Sequence, residues 1–200
     1  MSDRVSNIAK LLNAVSSLKT VNCLFLELLL DTEDRYVYEY AYSLFFLVTA
    51  LEPRRILNLG TGGKGISLRA MLAGLLHNNR GGCITTVEKK DYGQQGRDLE
   101  NKVRLLAPEC MVAFATCDDL QLEITEWFDL VFLDTSHDYE HTLDELYKFS
   151  AWTDLIVCHD TKLEGVRRAI EAFLDTHADW NNVEIGSTPM GLGILYRLAD

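Results

Sequence analysis

This chain of 200 residues has no Cys-x-x-Cys pair; its five cysteines (Cys23, Cys83, Cys110, Cys117 and Cys158) are scattered. An odd count with no secretory leader reads as reduced thiols in a cytoplasmic protein, each best taken as a small buried hydrophobe. Basic charge is also scarce, with 19 Lys and Arg against 30 Asp and Glu and a net charge of -11. That balance argues against nucleic acid as a partner, because binding a phosphate backbone needs a basic surface. Long apolar runs are missing too. Residues 23–30 are far too short to span a bilayer, and residues 41–51 are bounded by Glu39 and Glu52, so both read as buried helices and no membrane is implied. The start lacks the charged, apolar and small-residue regions of a signal peptide. There is no linker rich in Gly, Ser or Pro, no internal repeat and no low-complexity tract. A chain of this length that is 48% apolar makes one globular domain with a full core.

Ile56-Leu57-Asn58-Leu59-Gly60-Thr61-Gly62-Gly63-Lys64-Gly65-Ile66-Ser67 is the stretch around which the rest is organised. An apolar run ends in a glycine cluster, and Leu68, Met71, Leu72, Leu75 and Leu76 follow at helical spacing. This predicts a strand, a tight turn and a helix N-terminus. Glycines at 60, 62 and 65 tolerate positive φ and let backbone approach a ligand, and the helix start adds free N–H groups.

Before that turn, Val5, Ile8, Leu11, Leu12, Val15 and Leu18 predict an amphipathic helix, and a second apolar segment runs to Leu30. Residues 31–34 can cap a helix over about 36–51, which Pro53 and Arg54-Arg55 end. After the turn, strands are expected over 83–87, 111–115, 128–133, 155–158, 183–185 and 192–196. Helices are expected over about 95–106, 139–149 and 166–174. Alternating strands and helices predict an α/β fold: a Rossmann-like, doubly wound, mostly parallel seven-stranded sheet. Its last two strands have no helix between them and must form an antiparallel hairpin. Residues 1–52 are expected as N-terminal helices packed on the same core, and residues 53–200 as the Rossmann-like domain.

Ligands of open α/β sheets bind beyond the carboxyl ends of the strands. Here those ends carry Asn58 with the glycines, Glu88, Asp118, Asp134 and His159-Asp160. Five polar ends in one fold favour a ligand site over five separate helix caps. Glu88 is suited to accept hydrogen bonds from both hydroxyls of a ribose. Gly60-x-Gly62-x-x-Gly65 with a strand-end acid also fits the nicotinamide-dinucleotide fingerprint, so a dehydrogenase remains an alternative.

Two further segments carry a resemblance: Asp129-Leu130-Val131-Phe132-Leu133-Asp134-x-x-His137-x-Tyr139-Glu140, and Leu155-Ile156-Val157-Cys158-His159-Asp160-Thr161. With the glycine motif, and with Gly165-Val166-Arg167-Arg168-Ala169 and Met190-Gly191-Leu192-Gly193, they resemble the class I S-adenosylmethionine-dependent methyltransferases. The likeness is to the small O-methyltransferase branch related to the catechol, sugar and antibiotic enzymes, and it covers about residues 40–198. It implies methyl transfer from S-adenosylmethionine to a hydroxyl of a small-molecule substrate. The cofactor-binding residues it implies are Asn58, Gly60, Thr61, Gly62, Gly65, Glu88, Asp118 (facing the adenine amine) and Asp134. Asp134, His159 and Asp160 are the implied ligands of a divalent metal, Mg²⁺ or Mn²⁺. Asp134 and His137 are the catalytic candidates, with His137 as general base and His141 a weaker one. The N-terminal helices bear on substrate or on a homo-oligomer. Departures stand beside the likeness. Asn58 replaces an acid, Ala151-Trp152-Thr153-Asp154 replaces Pro-Gly-Gly, Thr135-Ser136 replaces Gly-Asp, and His159 stands where several metal-dependent relatives carry Glu. A non-catalytic protein that retains the fold is the third reading.

Overall fold

The computed structural model describes residues 35–78, 80–106, 111–185, 188 and 190–198. The helices expected before residue 31, and the cap at 31–34, lie outside the described residues. The elements in order are α1 (Arg35–Leu51), β1 (Arg55–Leu59), α2 (Ile66–Asn78), β2 (Cys83–Glu88), α3 (Gln94–Leu106) and β3 (Met111–Thr116). A short 3₁₀ turn (Asp119–Gln121) follows, then β4 (Leu130–Leu133), α4 (Tyr139–Phe149), β5 (Leu155–His159), α5 (Glu164–Thr176), β6 (Trp180–Ile185) and β7 (Leu192–Arg197). They form one seven-stranded sheet in the order β3-β2-β1-β4-β5-β7-β6. The five strands from β3 to β5 are mutually parallel; β7 runs antiparallel to both β5 and β6.

The central strands are buried on both faces, which is why they read as continuous apolar runs. Along them the side chains alternate between two cores. Ile56, Ile84, Leu130, Phe132 and Val157 pack with α1, α2 and α3. Leu57, Leu59, Val131, Leu133 and Ile156 pack with α4 and α5. Helix α2 lies between the sheet and α1, and residues from Ser67 through Leu75 are all buried. A helix covered on two sides carries apolar residues around most of its circumference. Gly74 allows the approach of α1: a β-carbon there would stand 2.7 Å from the Val48 side chain. Ala41, Leu44, Leu47 and Val48 of α1 are 0–1% exposed, so this helix belongs to the same core as the sheet.

Two expectations shift in detail. β4 begins at Leu130 rather than 128, because the Asp129 carboxylate accepts from Arg54 N (2.8 Å) and Arg55 N (3.0 Å) and caps the entry to β1. The turn that lacks Pro-Gly-Gly is closed by a side chain instead. Buried Thr153 Oγ1 accepts from Leu155 N and donates to Leu155 O, both at 3.1 Å.

Candidate active site

β1 and β4 are neighbours at the centre of the sheet, and the chain leaves them in opposite directions, so a crevice opens beyond their carboxyl ends. Gly60, Gly62 and Gly65 turn the backbone there with φ of 81°, 60° and 56°. Gly60 N donates to Val87 O at 2.9 Å, and Gly62 N donates to Glu88 Oε2 at 2.9 Å. The carboxylate ending β2 therefore holds the turn that follows β1. A cavity of about 660 Å³ opens over this arrangement, walled by residues 60–67, Glu88, Tyr92, Asp134, Thr135 and, from α1, Tyr40.

Of the expected site residues, Gly60, Thr61, Gly62, Gly65, Glu88 and Asp134 come together on this wall. Asn58 does not reach it. It is fully buried, and its Nδ2 donates to Thr86 Oγ1 at 2.7 Å. Asp118 is turned aside: it caps the 3₁₀ turn by accepting from Leu120 N (3.1 Å) and pairs with Lys89 Nζ at 2.7 Å. The Lys89 ammonium holds the Asp118 carboxyl below its ordinary range. The neighbouring residue Asp119 faces the cavity instead, together with His141.

Asp119 begins a polar cluster of which sequence reasoning named only His141. His141 Nε2 is 3.1 Å from Asp119 Oδ2, and Thr135 Oγ1 donates to Glu145 Oε1 at 2.6 Å. Burial, and after it the hydrogen bond to Asp119, pushes the Glu145 carboxyl up to about 9. Lys148 Nζ donates to the carbonyls of Asp119, Leu120 and Leu122 (2.9, 2.9 and 2.7 Å) and pins this loop to α4. The signal was present: His141 and Glu145 are one helical turn apart on α4, a spacing that puts both on one face.

Asp134 also borders a second group. His137 Nε2 lies 2.7 Å from Asp160 Oδ2, and His159 Nδ1 lies 3.4 Å from Asp134 Oδ1 and 3.2 Å from Asp160 Oδ1. Asp160 takes a left-handed φ of 58°, which turns its carboxylate back between the two imidazoles. Burial alone would lower the His159 pKa, but the two carboxylates outweigh it and raise it to about 9. Burial would raise Asp160, yet His159 and then His137 hold it low. Tyr40 covers this group, with its ring 4.4 Å from that of His159. Its phenol is pushed up by burial and then by Asp134 and Asp160. The ligand atoms of Asp134, His137 and Asp160 lie within 4.8 Å of one another. Two carboxylate oxygens and one imidazole nitrogen fit a divalent cation. Asp119, His141 and Glu145 form a second group of the same kind among the described residues, and the group at Asp134 contains His137 where the sequence suggested His159.

Among the described residues no helix is long and apolar enough to cross a membrane. No protein-family model matches this chain, and no curated protein matches it in sequence. Solved structures do. The O-methyltransferase from Bacillus cereus in complex with SAH superposes with a TM-score of 0.63 at 18% identity, over 96% of this chain and 90% of that one. An SAH-bound methyltransferase from Podospora anserina gives 0.61 at 14% identity, over 100% and 95%. An O-methyltransferase from Streptomyces achromogenes involved in tomaymycin synthesis, in complex with SAM, gives 0.58 at 15% identity, over 88% and 95%. With the β7 strand inserted antiparallel between β5 and β6, the chain has the fold of the class I S-adenosylmethionine-dependent O-methyltransferases.

Proposed function

We propose that this chain binds S-adenosylmethionine in the 660 Å³ cavity and transfers its methyl group to a hydroxyl of a small molecule. The observation that carries this reading is the placement of the Glu88 carboxylate, Asp134 and the glycine turn on one wall. It is supported by the SAM and SAH bound in structures of the same fold. When bound, S-adenosylmethionine supplies a methyl group activated by a sulfonium. The chain's own task is then alignment and proton handling. Glu88 offers acceptor oxygens to ribose hydroxyls, and Tyr40 from α1 closes the cavity over Asp134. His137 is not among the residues that line the cavity but follows Thr135 and Ser136, which stand on its wall; with Nε2 held at 2.7 Å by Asp160, its other ring nitrogen would accept the proton of the acceptor hydroxyl.

The Asp134, His137 and Asp160 set would hold Mg²⁺ or Mn²⁺, and such a cation would lower the pKa of a hydroxyl bound to it. The dinucleotide reading loses ground on topology, because the dinucleotide-binding order 3-2-1-4-5-6 has no antiparallel strand between the fifth and sixth. A cytoplasmic location and a homo-oligomer formed through the N-terminal helices remain part of this proposal. The deciding experiment is calorimetric titration with S-adenosylhomocysteine and, separately, with NAD. Micromolar binding of the first alone is expected; binding of NAD alone would reverse the assignment, and binding of neither would make the chain a non-catalytic holder of the fold.

A further inference from the structure

A buried chain of three side chains runs from the sheet to the cavity wall. Asn58 on β1 and Thr86 on β2 are paired in register and face the same side of the sheet. Asn58 Nδ2 donates to Thr86 Oγ1 at 2.7 Å, and Thr86 Oγ1 is hydrogen-bonded in turn to Thr61 Oγ1 in the glycine turn. The three residues are 0%, 1% and 8% exposed. Thr61 lines the cavity, and Asn58 does not.

The direction of the protons follows from what each group can do. An amide nitrogen only donates, whereas a hydroxyl has one proton and two lone pairs. Turning the amide over would leave both N–H donors of a fully buried group unpaired. The observed orientation leaves the Asn58 Oδ1 acceptor and one N–H unpaired, one orphaned donor fewer and so the less costly state. Thr86 therefore accepts from Asn58, and its own proton must go elsewhere. Thr61 is the acceptor the structure gives it. If Thr61 donated instead, the Thr86 proton would be buried without a partner. Thr61 thus receives a proton and keeps its own free to donate into the cavity. An aspartate at position 58 would reverse every step. Thr86 would donate to the carboxylate, Thr61 would donate to Thr86, and the cavity would meet only lone pairs.

We propose that Asn58, without touching the ligand, sets the hydrogen-bond polarity of the glycine turn and makes Thr61 a donor toward an acceptor oxygen of the ligand. Resting on the S-adenosyl reading above, the group selected at Thr61 is the carboxylate of the amino-acid tail rather than its ammonium. Asn58 is a positioning residue in this scheme; Thr61 makes the contact.

The test compares two ligands by calorimetry: S-adenosylhomocysteine, which has the amino-acid tail, and 5′-methylthioadenosine, which lacks it. Asn58→Asp and Thr61→Val should each weaken S-adenosylhomocysteine about tenfold, the scale of one hydrogen bond to a charged acceptor. Neither should change methylthioadenosine. Combining the two should cost no more than either alone, because the first has already withdrawn the proton that the second removes. Full additivity, or equal weakening of both ligands, would overturn the polarity assignment and leave the S-adenosyl reading standing. A wild-type chain that binds neither ligand would overturn both. Should Asn58→Asp fail to fold, Thr61→Val and Thr61→Ser decide the question. Selective loss in the first with recovery in the second supports the donor role, and wild-type affinity in Thr61→Val removes it.

Discussion

Gly60 lies directly beneath the carbonyl of Asp134: a β-carbon built on Gly60 would overlap that oxygen and its carbon. The glycine at the end of β1 is therefore required by the end of β4, and its φ of 81° adds a second reason. Sequence reasoning gave Gly60 a close approach of backbone to ligand; the geometry adds a close approach to Asp134. Gly60→Ala should lower stability by roughly 1–3 kcal/mol and weaken S-adenosylhomocysteine binding by displacing Asp134. Denaturant unfolding together with calorimetry checks both; a fully stable variant would show that the contact relaxes freely.

Glu88 holds Gly62 N and lines the cavity at once. Glu88→Ala should weaken S-adenosylhomocysteine by roughly 1.5–3 kcal/mol, the loss of hydrogen bonds to a charged acceptor. Glu88→Gln keeps an acceptor and should fall between. Unchanged affinity in a folded Glu88→Ala would take the residue out of the site.

The pairing of His137 with Asp160 predicts a rate effect without a binding effect. His137→Ala should reduce kcat about 10²–10⁴-fold while leaving S-adenosylhomocysteine affinity unaltered. Asp160→Asn should fall in the same direction. A kcat equal to wild type, measured on any accepted hydroxyl substrate, would assign the proton to another group.

If the Asp134, His137 and Asp160 set holds a cation in solution, exhaustive chelation should lower the melting temperature and the rate, and Mn²⁺ or Mg²⁺ should restore both. Asp160→Asn should be insensitive to the same treatment. Identical curves before and after chelation in wild type would leave His137 as the sole proton acceptor.

Stability should fall as pH rises from mildly acidic to alkaline. The Glu145 carboxyl is at about 9 in the fold against an ordinary 4.5. Between those values the folded state binds more protons than the unfolded one, so each rise in pH favours unfolding. His159, raised to about 9 from 6.5, acts in the same sense: its contribution is full below 6.5 and is lost through 9. Glu145→Gln keeps a donor toward Asp119 without the titration. It should flatten the decline between pH 5 and 9 by on the order of 5 °C in Tm, measured by circular dichroism. A wild-type slope in that variant would exonerate Glu145.

The sheet was legible because central strands buried on both faces leave an apolar signature, and the glycine turn marks where they end. Boundaries failed where a side chain replaced the ladder, as Asp129 does at the entry to β4. Within the site, strand-end acids were legible as a class but not by orientation. Asp118 and Asp119 are adjacent, and the cap on Leu120 N together with the pair to Lys89 turns the first away from the cavity. Tyr40 carried no signal, since nothing in α1 distinguishes the residue that will cover a site built by β4 and β5. Asn58 was legible as a departure from the expected acid, but its effect passes through Thr86, a neighbour only in space.

The antiparallel β7 has a consequence for how the chain assembles during synthesis. β5 and β6 are joined in the sheet only through β7, so both leave the ribosome before the strand that links them. Until residues 192–197 are translated, Leu155–His159 present an open apolar edge, the kind of surface that templates pairing with another chain. The five parallel strands can gather early, but closing this edge is the last step, and chains stalled before it are the ones exposed to aggregation.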